Sequence, residues 1–269
     1  MRALLKLGFG LLVLAFALIG VSYAMLRTHG TSTPNAGEGR KIASETRQVG
    51  KNISAVELSG PIDLTLRYGT TPSLEIKGEQ RLLGNIEATQ DGNTLHIATR
   101  GIVLAHHHPL QAVLVLPALT NVNVDGSGDS TVDGFAGEHI DVQLDGSGSV
   151  KFNGRYRQVN AVLHGSGDMD LDVGNSQRVA AEVVGSGHMT LAGNSVELVS
   201  EATGSGSMNA QHLRADKVSV RQLGSGSSTV NAQKSVTVSL SGSGDVEVHG
   251  SPSQRSISRT GSGDITFPG

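Results

Sequence analysis

Along most of this chain apolar and polar residues alternate with a period of two, the pattern of strands that bury one face and wet the other. From about residue 120 the alternation is itself periodic. The tripeptide Gly-Ser-Gly occurs eight times, beginning at Gly126, Gly146, Gly165, Gly185, Gly204, Gly224, Gly242 and Gly261, at intervals of 18 to 20 residues. A fixed period near 19 predicts a solenoid and outweighs any local reading. Two, four and six residues before the first glycine stand trios such as Ile140, Val142 and Leu144, or Val236, Val238 and Leu240. Four and six residues after it stand pairs such as Met169 and Leu171, or Val246 and Val248. Each repeat therefore predicts a strand, a Gly-Ser-Gly corner, a second strand, another glycine corner (Gly134, Gly154, Gly193, Gly250, Gly269) and a return. Corner glycines are expected at positive φ, and stacking the corners leaves no room for a side chain. That expectation covers the first glycines and also their partners Gly128, Gly148, Gly167, Gly187, Gly206, Gly226, Gly244 and Gly263. One rung cannot bury enough to fold alone, so the repeats must stack.

Before the repeats the pattern is shorter and less regular. Alternation over 53–58, 62–67, 73–77, 86–89, 94–99 and 112–116 predicts six strands, with Asp91-Gly92-Asn93 as a hairpin turn. Pro61 and Pro72 mark strand starts, where a missing N–H is tolerated. Residues 27–46 are polar and rich in Gly, Ser, Thr and Pro, and predict a flexible linker. Residues 7–26 are uncharged and follow Arg2 and Lys6. That arrangement predicts a secretory signal cut after Ala24, or a helix retained as a membrane anchor. Both place the rest of the chain outside the cytoplasm, in the periplasm or at the cell surface. The organisation expected is thus 1–26 signal or anchor, 27–46 linker, and 47–269 solenoid domain, with 47–119 as irregular strands. The last repeat carries Arg255 and Arg259 at inward positions around Ile257, as suits a terminal rung facing water.

Composition narrows the chemistry. There is no cysteine among the 269 residues, which rules out disulfides, thiolate metal sites and a cysteine nucleophile. A formal net charge of −3 argues against nucleic acid as a partner. The residue after each Gly-Ser-Gly is Asp129, Ser149, Asp168, His188, Ser207, Ser227, Asp245 and Asp264. In register these form a polar ladder that either serves its own turns or offers oxygen ligands to calcium. Asp245 and Asp264 are the adjacent carboxylates of that ladder and its metal candidates, with Arg255 and Arg259 near enough to neutralise them. His106, His107 and His108 form a run of imidazoles, but adjacent residues of an extended segment face opposite ways. Catalysis would need a localised acid and base, whereas polar positions here recur from rung to rung. Each Gly-Ser-Gly leads into a strand pattern and not a helix, so none reads as a phosphate-binding loop. No cofactor is expected.

The stretches VGKNISAVELSGPIDLTLRYGTTPSLEIKGE, LLGNIEATQDGNTLHIAT and LPALTNVNVDGSGD, with the recurrent Gly-Ser-Gly-Asp corners, resemble the bacterial "putative auto-transporter adhesin, head GIN domain" family. The resemblance covers about residues 47–269. It implies a right-handed parallel β-helix similar to pectin lyases but without their catalytic residues. It also implies a role in adhesion at the cell envelope, with a polysaccharide or protein as ligand. No family site residues carry over. The alternative is a carbohydrate-active enzyme of the pectin lyase type.

Overall fold

The structure is a computed structural model that describes residues 41–101 and 109–268. The residues from Ile42 onward form one compact unit. The leader at 7–26, most of the linker and His106–His108 lie outside the described residues. Among the described residues no helix is long and apolar enough to cross a membrane.

The Gly-Ser-Gly region is a β-solenoid. β9 (Asp129–Gly146), β10 (Ser149–Gly165), β11 (Asp168–Gly185), β12 (His188–Gly204), β13 (Ser207–Gly224) and β14 (Ser227–Gly242) each trace a rung. Each pairs in parallel with the next. The register matches like with like: Val150 on Met169 on Met189 on Met208, and Leu163 on Val183 on Ala202. These columns point inward and are almost wholly buried. The alternation read from the sequence is thus the alternation of the walls. Apolar columns fill the interior and wet columns line the outside.

The corners show why glycine recurs. From Gly126 to Gly242 the carbonyl of each first glycine accepts two N–H groups from the next rung. Gly165 O, for example, receives Ser186 N at 2.9 Å and Gly187 N at 3.0 Å. This close stacking leaves no space for a Cβ: one placed on Gly187 would lie 2.6 Å from Gly167 O and 2.8 Å from Leu163 Cδ2. Positive φ was expected at both glycines, and the structure corrects this. Gly146, Gly165, Gly185, Gly204, Gly224, Gly242 and Gly261 have φ between 116° and 132°, but neither Gly126 nor any of the second glycines has positive φ. The second glycine is required by proximity alone.

The segment before residue 120 is more regular than its sequence suggests, and its order in space is not its order in the chain. β2 (Ala55–Ser59) and β3 (Ile62–Tyr68) make a rung whose corner is Gly60-Pro61-Ile62. The rung of β8 (Asn121–Gly126) and β9 stacks on one side of it. The rung of β6 (Thr94–Thr99) and β7 (Leu110–Leu116) stacks on the other. The chain therefore enters at the second rung, runs out to the first, and crosses back to the third. Gly126 packs against Gly60 and Gly128 against Ile62. Ile62 stands at the second-glycine position, and its outer neighbour is Leu110 of β7. Beyond this rung the ladder turns antiparallel. β4 (Ser73–Glu79) runs against β7, and β5 (Ile86–Asp91) runs against β6. The five residues Ile42–Thr46, expected as linker, belong instead to β1 (Ile42–Arg47), which runs antiparallel to β4. With the one-turn helix α1 (Gln80–Leu83), these strands close that end of the solenoid and block further parallel stacking.

At the other end β15 (Asp245–His249), β16 (Gln254–Gly261) and β17 (Ile265–Thr266) finish the stack. Arg255 and Arg259 sit in register with the inward Val236 and Leu240, and every residue of β16 is exposed. The Arg255 guanidinium lies 4.3 Å above the Phe267 ring, and Arg259 donates to Gly263 O at 3.0 Å. Both fold over the open core as a polar lid.

The interior is not purely apolar. The Tyr156 hydroxyl, buried, donates to Leu119 O at 2.7 Å, and burial pushes its pKa well above that of a free phenol. Ser228 Oγ donates to Gln222 Oε1 at 2.6 Å, and the Gln222 amide nitrogen has no partner. Ser130, Ser200, Gln222 and Ser228 stand where the repeat would place aliphatic residues.

Candidate binding surface

Each rung presents three outward stretches. The first precedes the Gly-Ser-Gly corner, the second follows it, and the third is the return, where the ladder register shifts between rungs. Because the pairing is in register, outward residues of successive rungs stack into columns roughly 4.8 Å apart.

The column after Gly-Ser-Gly is knitted together. Ser149 Oγ donates to Asp129 Oδ1 at 2.6 Å, His188 Nδ1 bonds Ser207 Oγ, and Asp264 N donates to Asp245 Oδ1 at 2.9 Å. The metal candidates are therefore already engaged: Asp245 holds the Asp264 backbone, and Asp264 accepts Arg259 Nη1 at 3.2 Å. Among the described residues no three His, Asp or Glu side chains converge to hold a metal ion. The corner serines are exposed, and Ser186 Oγ lies 3.3 Å from Ser205 Oγ. The sixteen corner glycines shape the corner and bring no side chain to the surface.

Three of the shallow grooves among the described residues cross the rungs. One, of about 480 Å³, lies on the second stretch between the walls Thr65–Thr131–Lys151–Asp170–Thr190 and Arg67–Asp133–Asn153–Asp172–Ala192. Its polar groups are bonded to one another: Asn153 Nδ2 donates across rungs to Asp133 Oδ1 at 2.8 Å, and Arg155 Nη1 of the same rung donates to Asn153 Oδ1 at 3.1 Å. The other two, of about 500 and 350 Å³, lie on the third stretch on either side of Val196. They are lined by Asn175, Asn194, Gln177, Gln158 and Gln233 together with Arg178, Arg214 and Lys217.

Charge is sorted among the three stretches, a feature the sequence reading missed. The second stretch carries Asp63, Asp129, Asp133, Asp168, Asp170, Asp172, Asp245, Glu247 and Asp264 against Arg67 and Lys151. The first carries Glu57, Asp125, Asp141, Asp145, Glu182 and Glu201 against Arg221 and, in the last rung, Arg255 and Arg259. The third reverses the sign: Arg155, Arg157, Arg178, Arg214, Lys217 and Lys234 against Glu138, Glu197 and Asp216. The signal was present in the sequence. The basic residues of the repeats cluster in the segment between the second corner and the next apolar trio. Its meaning needs the register.

A solenoid of short corners, in-register outward columns and antiparallel end strands defines a class of repeat proteins that present long walls. Residues 52–252 match the family model of the "putative auto-transporter adhesin, head GIN domain", and the chain belongs to that family. A search of curated proteins finds no match. Several solved structures share the fold. A putative adhesin from Parabacteroides merdae ATCC 43184 is 17% identical with a TM-score of 0.78, over 85% of this chain and 97% of that one. A putative adhesin from Parabacteroides distasonis ATCC 8503 is 18% identical with a TM-score of 0.79, over 86% and 98%. A putative lipid binding protein from the same organism is 20% identical with a TM-score of 0.73, over 84% and 97%. At these identities the likeness is one of fold.

Proposed function

We propose that this chain is a non-enzymatic binding module of the bacterial cell envelope that engages an extended ligand along the outside of its solenoid. The observation that carries the proposal is the set of outward columns: grooves on two stretches each draw polar side chains from several successive rungs. A ligand lying along the axis would meet a repeating pattern of hydroxyl, amide and charged groups. Such multiplicity suits retention of a polymer better than cleavage of one bond. Cleavage needs an acid and a base gathered about a single scissile linkage. Here Asp172, one of the run Asp168, Asp170 and Asp172, is turned toward Arg155 at 3.4 Å. Adhesion is the role named for the family. Export is supported by Arg2 and Lys6 ahead of the apolar run at 7–26.

The test is to expose spheroplasts to protease and to recover the chain with its ligand from cross-linked envelopes. Digestion of the repeat domain with the inner membrane intact, recovery of an envelope polymer, and no shortening of that polymer on incubation are the expected results. Full protection from protease, or release of shortened products, would overturn the proposal.

A further inference from the structure

Net charge conceals the most informative property of this surface. The whole chain is close to neutral at −3, yet summed over the rungs the first two stretches are acidic and the third is basic. The six cations Arg155, Arg157, Arg178, Arg214, Lys217 and Lys234 are all exposed. They come from β10, β11, β13 and β14, four of five successive rungs, and span ~20 Å along the axis at ~4.8 Å per rung; β12 carries Glu197 there instead. Three are compensated locally: Arg157 meets Glu138 at 3.2 Å, Lys234 meets Asp216 at 2.7 Å, and Arg178 pairs with Glu197. Arg155, Arg214 and Lys217 are the excess. Arg155 leans to Asp172 at the edge of the second stretch, and Arg214 donates to the neutral Gln233 at 3.4 Å. With screening over ~8–10 Å, an anion is repelled by two walls and drawn to the third.

We infer that the third stretch is the contact surface, and that its ligand is a linear anionic polysaccharide of the uronate class. The inference rests on the reading of the chain as a non-enzymatic binder. Two observations carry it. The excess positive charge is spread along the axis over several rungs, so it suits a linear polyanion and not a compact anion. The cations are interleaved with amides that line both grooves: Asn175 and Asn194 (bonded to each other at 3.0 Å), Gln158, Gln177 and Gln233. An amide both donates and accepts, which matches sugar hydroxyls, while the guanidinium fork matches a carboxylate. An anionic membrane would be better served by apolar side chains among the cations, and Val196, 50% exposed, is the large hydrophobic residue exposed here among the described residues.

The experiment is calorimetric titration of the full 269-residue chain. The probes are linear oligogalacturonate, dextran as a neutral glycan, and phosphatidylglycerol vesicles. The variants are the triple Arg155→Gln/Arg214→Gln/Lys217→Gln, and the double Arg67→Gln/Lys151→Gln as a control on the second stretch. All five positions are on the surface, and unchanged melting temperatures check that the fold is kept. The expected result is salt-sensitive binding of oligogalacturonate alone. It should weaken at least tenfold in the triple variant and less than twofold in the double. No binding of oligogalacturonate, equal binding by the triple variant, or binding of vesicles in its place would overturn the inference. If the triple variant still recovers an envelope polymer, the assignment of side and charge fails while the binding function stands. If neither form recovers one, both fail.

Discussion

The corner glycines make the sharpest test of how this fold is held, because two glycines only two residues apart, Gly185 and Gly187, are required for different reasons. Gly185 has φ +124°, and its carbonyl accepts Ser205 N and Gly206 N, each at 2.9 Å. Gly187 has no positive φ, but a Cβ there would lie 2.6 Å from Gly167 O. Ser186, between them, is exposed. Gly185→Ala forces an L-residue into an unfavourable backbone region at ~1–3 kcal/mol. It also drives a Cβ against the Gly165 carbonyl, which parts the rungs and weakens the two N–H bonds to Gly165 O, each worth ~0.5–1.5 kcal/mol net. The expected loss is ~2–5 kcal/mol. Gly187→Ala lacks the backbone term and should cost ~1–3 kcal/mol as an overpacked contact. Ser186→Ala should stay within ~0.5 kcal/mol, as at most surface sites. Urea titration followed by far-UV circular dichroism reads all three. A fall in slope along with midpoint would mark uncoupling of the stack, since rungs interact only with their neighbours. Equal midpoints for Gly185→Ala and Ser186→Ala would refute the account of the corner.

Other consequences are equally open to measurement. The raised Tyr156 pKa means that the unfolded phenol loses its proton first as pH rises. Its contribution is therefore complete below pH ~10 and falls above it. Tyr156→Phe should remove that alkaline loss and cost ~1 kcal/mol at neutral pH by leaving Leu119 O without its donor. Urea midpoints across alkaline pH test both points. The double change Gln222→Leu with Ser228→Ala removes a buried pair that leaves Gln222 Nε2 unsatisfied, so its melting temperature should equal or exceed that of the parent. Calcium should not raise the melting temperature, because Asp245 and Asp264 are held by Asp264 N and Arg259. A rise abolished by Asp245→Asn with Asp264→Asn would show that those bonds yield to the ion.

The solenoid could be read from the chain because its information is local and repeated. The period near 19 residues sets the rung, and alternation by two sets which side chains enter the core. The Gly-Ser-Gly corners set where one rung meets the next. Tertiary structure alone decided the order of the first rungs. Nothing local tells β2 and β3 that they lie between the rung of β6 and β7 and that of β8 and β9, because those contacts join segments separated by a whole excursion of chain. The corner at Gly60-Pro61-Ile62 was hidden for a related reason. It departs from Gly-Ser-Gly in composition, and its partners, Leu110 on one side and Gly126 and Gly128 on the other, are known only from the fold. The conformation of the second glycines could not be inferred either, since composition does not separate a residue needed for its φ from one needed for lack of bulk. Charge followed the same division. The residues are written in the sequence, but the basic strip on the third stretch exists only when rungs stack in register, adding charges some nineteen residues apart into one field.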